Sequence, residues 1–228
     1  MLIPSIDLLG GRIVQLVRGE RLRLAFDDFN YWIEKFSRYP RVQLIDLDAA
    51  MRQGDNSDLV AQIAQRLPCQ VGGGFRTVER ARQALDQGAK RVIIGSALFS
   101  SEDGGAAVNT AFAAELAQAV GPDKLVAGID TKAGRIAVKG WKANVALTAD
   151  DAIPQLDPFV SAFLYTHVDG EGMMQGFPVD VAMRLRRLTQ HQLIVAGGIR
   201  SQQEIDALDA LGADAVVGMA IYTDAIAV

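Results

Sequence analysis

Two aspartates, Asp7 and Asp130, stand where this chain could do acid–base chemistry. Each follows apolar residues and precedes a polar, glycine-containing segment: LIPSIDLLGGRIVQLVRG around Asp7 and LVAGIDTKAGRIAVKGW around Asp130. An apolar run that ends in one carboxylate reads as a buried parallel strand delivering that side chain at its C-terminal end. The two segments share ID and GRI, and their aspartates lie just over half a chain apart. One aspartate at a strand end is ordinarily a turn or helix cap. Two at matching points of two halves point instead to carboxyl groups that face each other. A general base and a general acid need two such groups in different environments, one ionised and one protonated. Residue types alone leave open which is which.

Glycine-rich turns suggest what these carboxyl groups act on. VGGGFRT contains Gly73, Gly74 and Arg76, and it aligns with VAGGIRS, which contains Gly197, Gly198 and Arg200. Likewise QGAKRVIIGSALF, with Gly95 and Ser96, aligns with LGADAVVGMAIY, with Gly218 and Met219. Glycine lets backbone N–H groups approach an anion, and a following helix N-terminus adds partial positive charge. A lone glycine pair is structural more often than not. Two symmetry-related sets imply a small-molecule substrate with a phosphate at each end and its reacting atoms between the aspartates. Arg76 and Arg200 could assist, or could be solvated residues of a helical first turn.

Strands that position these groups are expected at 2–8, 42–48, 69–71, 91–94, 125–130, 159–166, 192–196 and 215–217. Between them, helices are expected at 30–37, 58–67, 77–87, 109–120, 148–156, 179–189 and 202–211, with Thr77 as a cap and Pro40 and Pro68 as breakers. Excursions of β character follow the first and fifth strands, and 20–29, 52–57 and 100–105 read as loops. Strictly alternating strands and helices imply a parallel sheet with right-handed crossovers. At this length the arrangement is an α/β fold, a (β/α)8 TIM barrel of one domain over 1–228, built from half-barrels at about 1–121 and 122–228. An open doubly wound sheet is the rival, and the internal repeat argues for closure. Only six residues follow Tyr222, so a short or missing last helix is expected.

Composition narrows the function. A net charge of −4, with no basic run, argues against a nucleic-acid surface. A single cysteine, Cys69, allows no internal disulfide and reads as inert packing. Two histidines leave little material for a metal centre, so no metal and no cofactor are expected. The start carries no positively charged leader and no apolar run is long enough to span a bilayer, so a cytoplasmic protein with no membrane partner is expected. It should act as a monomer.

Across almost its whole length the chain resembles the histidine-biosynthesis isomerases that convert the aminoaldose ProFAR into the aminoketose PRFAR. The resemblance rests on IPSIDLLGGRIV, QVGGGFR, RVIIGSAL, VAGIDTKAGRIAVKGW, FLYTHVDGEGMMQG, IVAGGIRS and AVVGMAIY. It implies a (β/α)8 barrel, a bisphosphate substrate, no cofactor and an Amadori rearrangement. It further implies Asp7 as general base, Asp130 as general acid, Thr166 as an assisting residue, and Trp141 stacked on the imidazole-carboxamide of the substrate.

The chain departs from that pattern in places. The family motif after the first aspartate carries an arginine and then a glutamine, whereas here Gln15 and Arg18 exchange them. That arginine helps hold the substrate, which makes Arg18 the candidate to do so here. After the sixth strand, His167 replaces an aspartate and Glu171 lengthens another. Three further readings stand beside the main one: the related cyclase, an isomerase that also accepts phosphoribosyl anthranilate, and a non-catalytic bisphosphate-binding barrel.

Overall fold

A computed structural model describes residues 1–100 and 106–227. Eight parallel strands close into a ring: β1 Leu2–Leu9, β2 Val42–Asp46, β3 Cys69–Gly72, β4 Arg91–Ile94, β5 Leu125–Lys132, β6 Ala162–His167, β7 Gln192–Ala196 and β8 Ala213–Val217. Each pairs with its sequence neighbour, β4 pairs with β5, and β8 returns to β1. The open-sheet alternative is thereby excluded. The strands are almost wholly apolar because both of their faces are covered, by helices outside and by packed side chains within.

Ile3, Ile93, Val126, Leu164, Ile194 and Val216 fill the interior of the ring and floor its C-terminal end. At the opposite end Arg91 donates to Gln192 across the ring (2.8 Å) and to Gln70 (2.9 Å), so its buried guanidinium is largely partnered. Cys69 is fully buried, and burial pushes its thiol up to about 12, which leaves it inert as expected.

Helix starts follow their caps closely. Thr77 accepts from the Arg80 N–H ahead of Val78–Asp86, and Ser201 does the same for Glu204 ahead of Gln202–Ala210. Thr148 and Asp151 form a reciprocal capping box at the start of Ala149–Leu156.

Several expectations need correction. Residues 20–29 are not a loop, because Arg21–Phe26 forms a strand that pairs antiparallel with Arg12–Val17 into a long hairpin over β1. Arg21, Leu22 and Arg23 are exposed and Leu24–Phe26 only partly covered, so no alternation of burial marks this strand. It is held by its pairing with Arg12–Val17 rather than by a buried apolar face. β2 stops at Asp46, since that side chain caps the short helix Leu47–Met51, which holds Asp48. β6 begins later than expected because Asp157–Phe159 makes a tight turn containing Pro158. The last helix, Met219–Tyr222, is short, as the sequence suggested. The loop expected at 100–105 lies outside the described residues except for Ser100, which ends a two-residue strand paired with Ala107–Val108. Among the described residues, no helix is long and apolar enough to cross a membrane.

Candidate active site

One cavity opens at the C-terminal ends of the strands, and Asp7, Asp130 and Thr166 all line it. Asp7 belongs to β1 and Asp130 to β5, opposite members of an eight-stranded ring, so their side chains reach the cavity from opposite walls. Thr166 is the register partner of Asp130 across the β5–β6 ladder.

The two carboxyl groups sit in unlike surroundings. Burial raises Asp7 to about 6, opposed only by the Ser5 hydroxyl, which donates to Oδ1 at 3.0 Å. Burial also raises Asp130, but hydrogen bonds from Trp141 and Thr166 to the charged form work against that rise. The Trp141 indole Nε1 donates to Asp130 Oδ2 at 2.8 Å.

A third carboxyl group joins them. Glu171 lines the cavity, and burial, followed by the charges of Asp7 and Asp130, raises it to about 8. All three carboxyl groups line the same cavity. At neutral pH Glu171 is therefore mostly protonated and able to donate a hydrogen bond. From the sequence it stood out only as a side chain longer than the expected aspartate. The signal that could have found it is its place in the loop following a strand that ends at Thr166.

Both glycine cradles open to this cavity. Gly73, Gly74, Arg76, Gly95 and Ser96 line one side of it, and Gly197, Gly198, Gly218 and Met219 line the other. Gly73 has φ +112°, and a methyl group there would lie 2.2 Å from the Asp46 carbonyl oxygen. Gly197 repeats this with φ +107° and 2.3 Å to the His167 carbonyl oxygen. Only glycine fits either position, so the double-glycine motif is a requirement of backbone approach on both sides.

The surrounding loops are tied down in pairs. Gly10 N–H donates to Asp48 (2.7 Å), and Ala133 N–H donates to Asp169 (2.8 Å), each pinning the chain just beyond a catalytic-end aspartate to the neighbouring loop. Asp46 accepts from Asn56 through both backbone and side chain at 2.8 Å. Asp46 and Asp169 thus organise loops rather than face the ligand space. His167, where Asp46 has its counterpart, packs edge-on near Phe177 and does not line the cavity.

Arg18 is misplaced by the sequence reading. It sits in a turn with φ +53°, exposed and outside the cavity, where its backbone N–H donates to the Glu171 carbonyl. Gln15 is the residue that lines the cavity, 3% exposed, with Nε2 donating to the Val14 carbonyl. The strand Arg12–Val17 ends one residue before Arg18, so an arginine three positions later falls in the exposed turn of the hairpin rather than on the strand face that lines the cavity. The exchange leaves an uncharged amide inside. Arg76 lines the cavity and donates to the Ala49 and Ala50 carbonyls, whereas Arg200 is exposed and engaged by Glu204 at 3.1 Å. Among the described residues, no group of three His, Cys, Asp or Glu side chains is placed to hold a metal ion.

The fold and site thus define a closed (β/α)8 barrel with paired carboxyl groups between two sets of glycine-rich turns. Residues 1–227 match the histidine biosynthesis protein family, and the chain belongs to that family. Curated relatives named 1-(5-phosphoribosyl)-5-(5-phosphoribosylamino)methylideneamino-imidazole-4-carboxamide isomerase are similar to it over nearly its whole length. The protein of Methanocaldococcus jannaschii is 32% identical over 97% of this chain and 93% of its own. That of Thermus thermophilus is 33% identical over 97% and 94%, and that of a Picosynechococcus strain 34% over 97% and 88%.

Proposed function

We propose that this chain isomerises ProFAR to PRFAR by an Amadori rearrangement, acting in the cytoplasm as a single chain without a cofactor. The observation that carries this reading is the convergence of Asp7 and Asp130 on one cavity flanked by two glycine cradles. A substrate with a phosphate at each end spans such a site, its termini held by backbone N–H groups and its aminoaldose ribose centred between the carboxyl groups.

Asp130 acts as general acid and Asp7 as general base. Protonation of the ribose ring oxygen by Asp130 accompanies cleavage of the C1′–O bond and opens the ring. Asp7 then removes the proton from C2′, and the resulting enolamine tautomerises to the ketose. Held at about 6, Asp7 is mostly ionised at neutral pH, as a base must be, yet remains basic enough to accept a proton. Burial raises Asp130 above the usual carboxylate range, in the sense that lets it carry the proton it delivers. Thr166 steadies Asp130, and Trp141 stacks on the imidazole-carboxamide. The hairpin after β1 and the segment after β5 close above the substrate and exclude water from the open-chain intermediate.

Purified protein incubated with ProFAR, and separately with phosphoribosyl anthranilate, tests the reading by chromatography of the products. PRFAR formation upholds it. Turnover of both substrates makes the enzyme bifunctional, and turnover of neither returns the chain to the class of binding proteins.

A further inference from the structure

The loops after β1 and β5 meet at one point above the site. The Trp141 ring lies against Gly19, so tightly that a methyl group on Gly19 would be 2.3 Å from Cε3 and 2.5 Å from Cζ3 of the indole. Real Cβ atoms do not approach other atoms so closely, so the ring and a side chain at position 19 exclude each other. Trp141 itself has φ +65°, a backbone conformation that a bulky residue adopts only when its surroundings enforce it. What its surroundings offer is the Nε1 bond to Asp130 on one side and the bare Cα of Gly19 on the other. Both Gly19 and Trp141 line the same cavity as Asp130. A nearby tie has the same sense, since Lys132 pairs with Glu20 across the two loops at 3.6 Å, while Lys139 N–H donates to Ser96 Oγ at 3.1 Å and anchors the segment after β5 to the turn after β4.

We infer that Gly19 is a positioning residue for the reaction, the seat that holds the Trp141 indole over Asp130. Through this contact the hairpin after β1 and the segment after β5 work as one cover, because neither can close with the other displaced. Gly19 touches no reacting atom and acts through Trp141. The inference rests on the isomerase reading for its kinetic consequences, but the contact itself can be tested without any turnover.

Two measurements on Gly19→Ala do so. In a Trp32→Phe background Trp141 is the only tryptophan, as the chain has two. There Gly19→Ala should raise acrylamide quenching of its fluorescence about twofold or more, because the ring is forced off its seat. Gly11→Ala supplies the control for backbone strain, since Gly11 has φ +75° with nothing within 4 Å of the added methyl, and should leave quenching unchanged. If wild-type protein converts ProFAR, Gly19→Ala should lower kcat/KM on the order of tenfold to a hundredfold, as expected for a misplaced positioning group. The ionisation of Asp130 in the pH profile should move upward, as it should in Trp141→Phe, which lacks the N–H donor. Adding Gly19→Ala to Trp141→Leu should cost no more than Gly11→Ala does, for only backbone strain remains once the methyl has no ring to strike. Should Gly19→Ala fail to fold, a folded double variant with Trp141→Leu still supports the seat and an unfolded one overturns it. Quenching and kcat/KM within twofold of the Gly11→Ala control, or additive costs in the double variant, would also overturn it. Absent turnover in the wild type refutes the isomerase reading alone, because the quenching result stands independently.

Discussion

Asp7 and Asp130 hold equivalent places in the two halves of the chain, and the protein surrounds them differently. Asp7 has one neutral hydroxyl for company and is raised to about 6. Asp130 has an indole N–H and a threonine hydroxyl, both favouring its charge, and above it a tryptophan seated on the opposite loop. The cradles differ in the same way. The one after β3 and β4 has Arg76 at the cavity wall and open space beside Gly95, while the one after β7 and β8 has its arginine turned outward to Glu204 and the Gln15 side chain against Gly218. The closed ring supplies equivalent strand ends for two carboxyl groups and equivalent positions for two sets of glycine-rich turns. The loops, which are free to diverge because they carry little of the core, make those positions unequal. Under the proposed mechanism that inequality is what lets two like carboxyl groups take different roles.

The largest test of the comparison is removal of each carboxylate. Asp7→Asn and Asp130→Asn should each lower kcat by about 10²–10⁴-fold while a bisphosphate ligand still binds, measured by steady-state kinetics and calorimetry. With Asp7 as the base, kcat/KM should fall about tenfold per pH unit below about 6. A variant that keeps near-normal turnover removes that aspartate from the mechanism and with it the symmetry of the site.

Next come the arginines. Arg76→Ala should raise KM about tenfold or more, the loss expected when a charged hydrogen-bonding group leaves a ligand site, and Arg200→Ala should leave KM within about twofold. Equal effects would mean that Arg200 swings inward on binding. The glycines give a third contrast of purely steric origin. Gly218→Ala drives a methyl to 2.5 Å from Gln15 Oε1 and should lower the thermal midpoint as well as weaken bisphosphate binding. Gly95→Ala meets no protein atom within 4 Å and should weaken bisphosphate binding with a smaller change in thermal midpoint, read by titration and thermal melts.

The smallest effect concerns stability. Glu171 is raised from 4.5 to about 8, so its contribution is fully present below about pH 4.5 and is lost as pH rises through about 8. In that window the folded protein binds more protons than the unfolded chain, and stability falls with pH. Glu171→Gln should therefore match the wild type near pH 4 and exceed it in thermal midpoint by a few degrees above pH 8. A constant difference across the range would show that the carboxyl of Glu171 is not buried against Asp7 and Asp130.

Much of this architecture was legible in the residues. Apolar runs closed by Asp7 and Asp130 and repeated glycine pairs name the strands, their order and the end of the ring that matters, since a buried parallel strand must be apolar and a backbone approach at φ near +110° must be glycine. What escaped was the content of the loops. Arg21–Phe26 hid a strand behind its arginines, and Arg18 was assigned to a cavity that Gln15 occupies. Glu171 looked like a variation in length until its neighbours appeared around it.

The sequence by itself determined the closed barrel, the two opposed carboxyl groups and the two cradles, because each rests on a short-range rule that residue type and spacing express directly. The tertiary structure alone decided which arginine turns inward, why Asp7 and Asp130 differ, and that Trp141 rests on Gly19. Burial inside the closed ring sets the carboxyl groups apart, and Gly19 and Trp141 meet across more than a hundred residues of chain. Even the short-range partners, Glu204 for Arg200 and Trp141 for Asp130, are chosen by how the loops fold rather than by residue spacing.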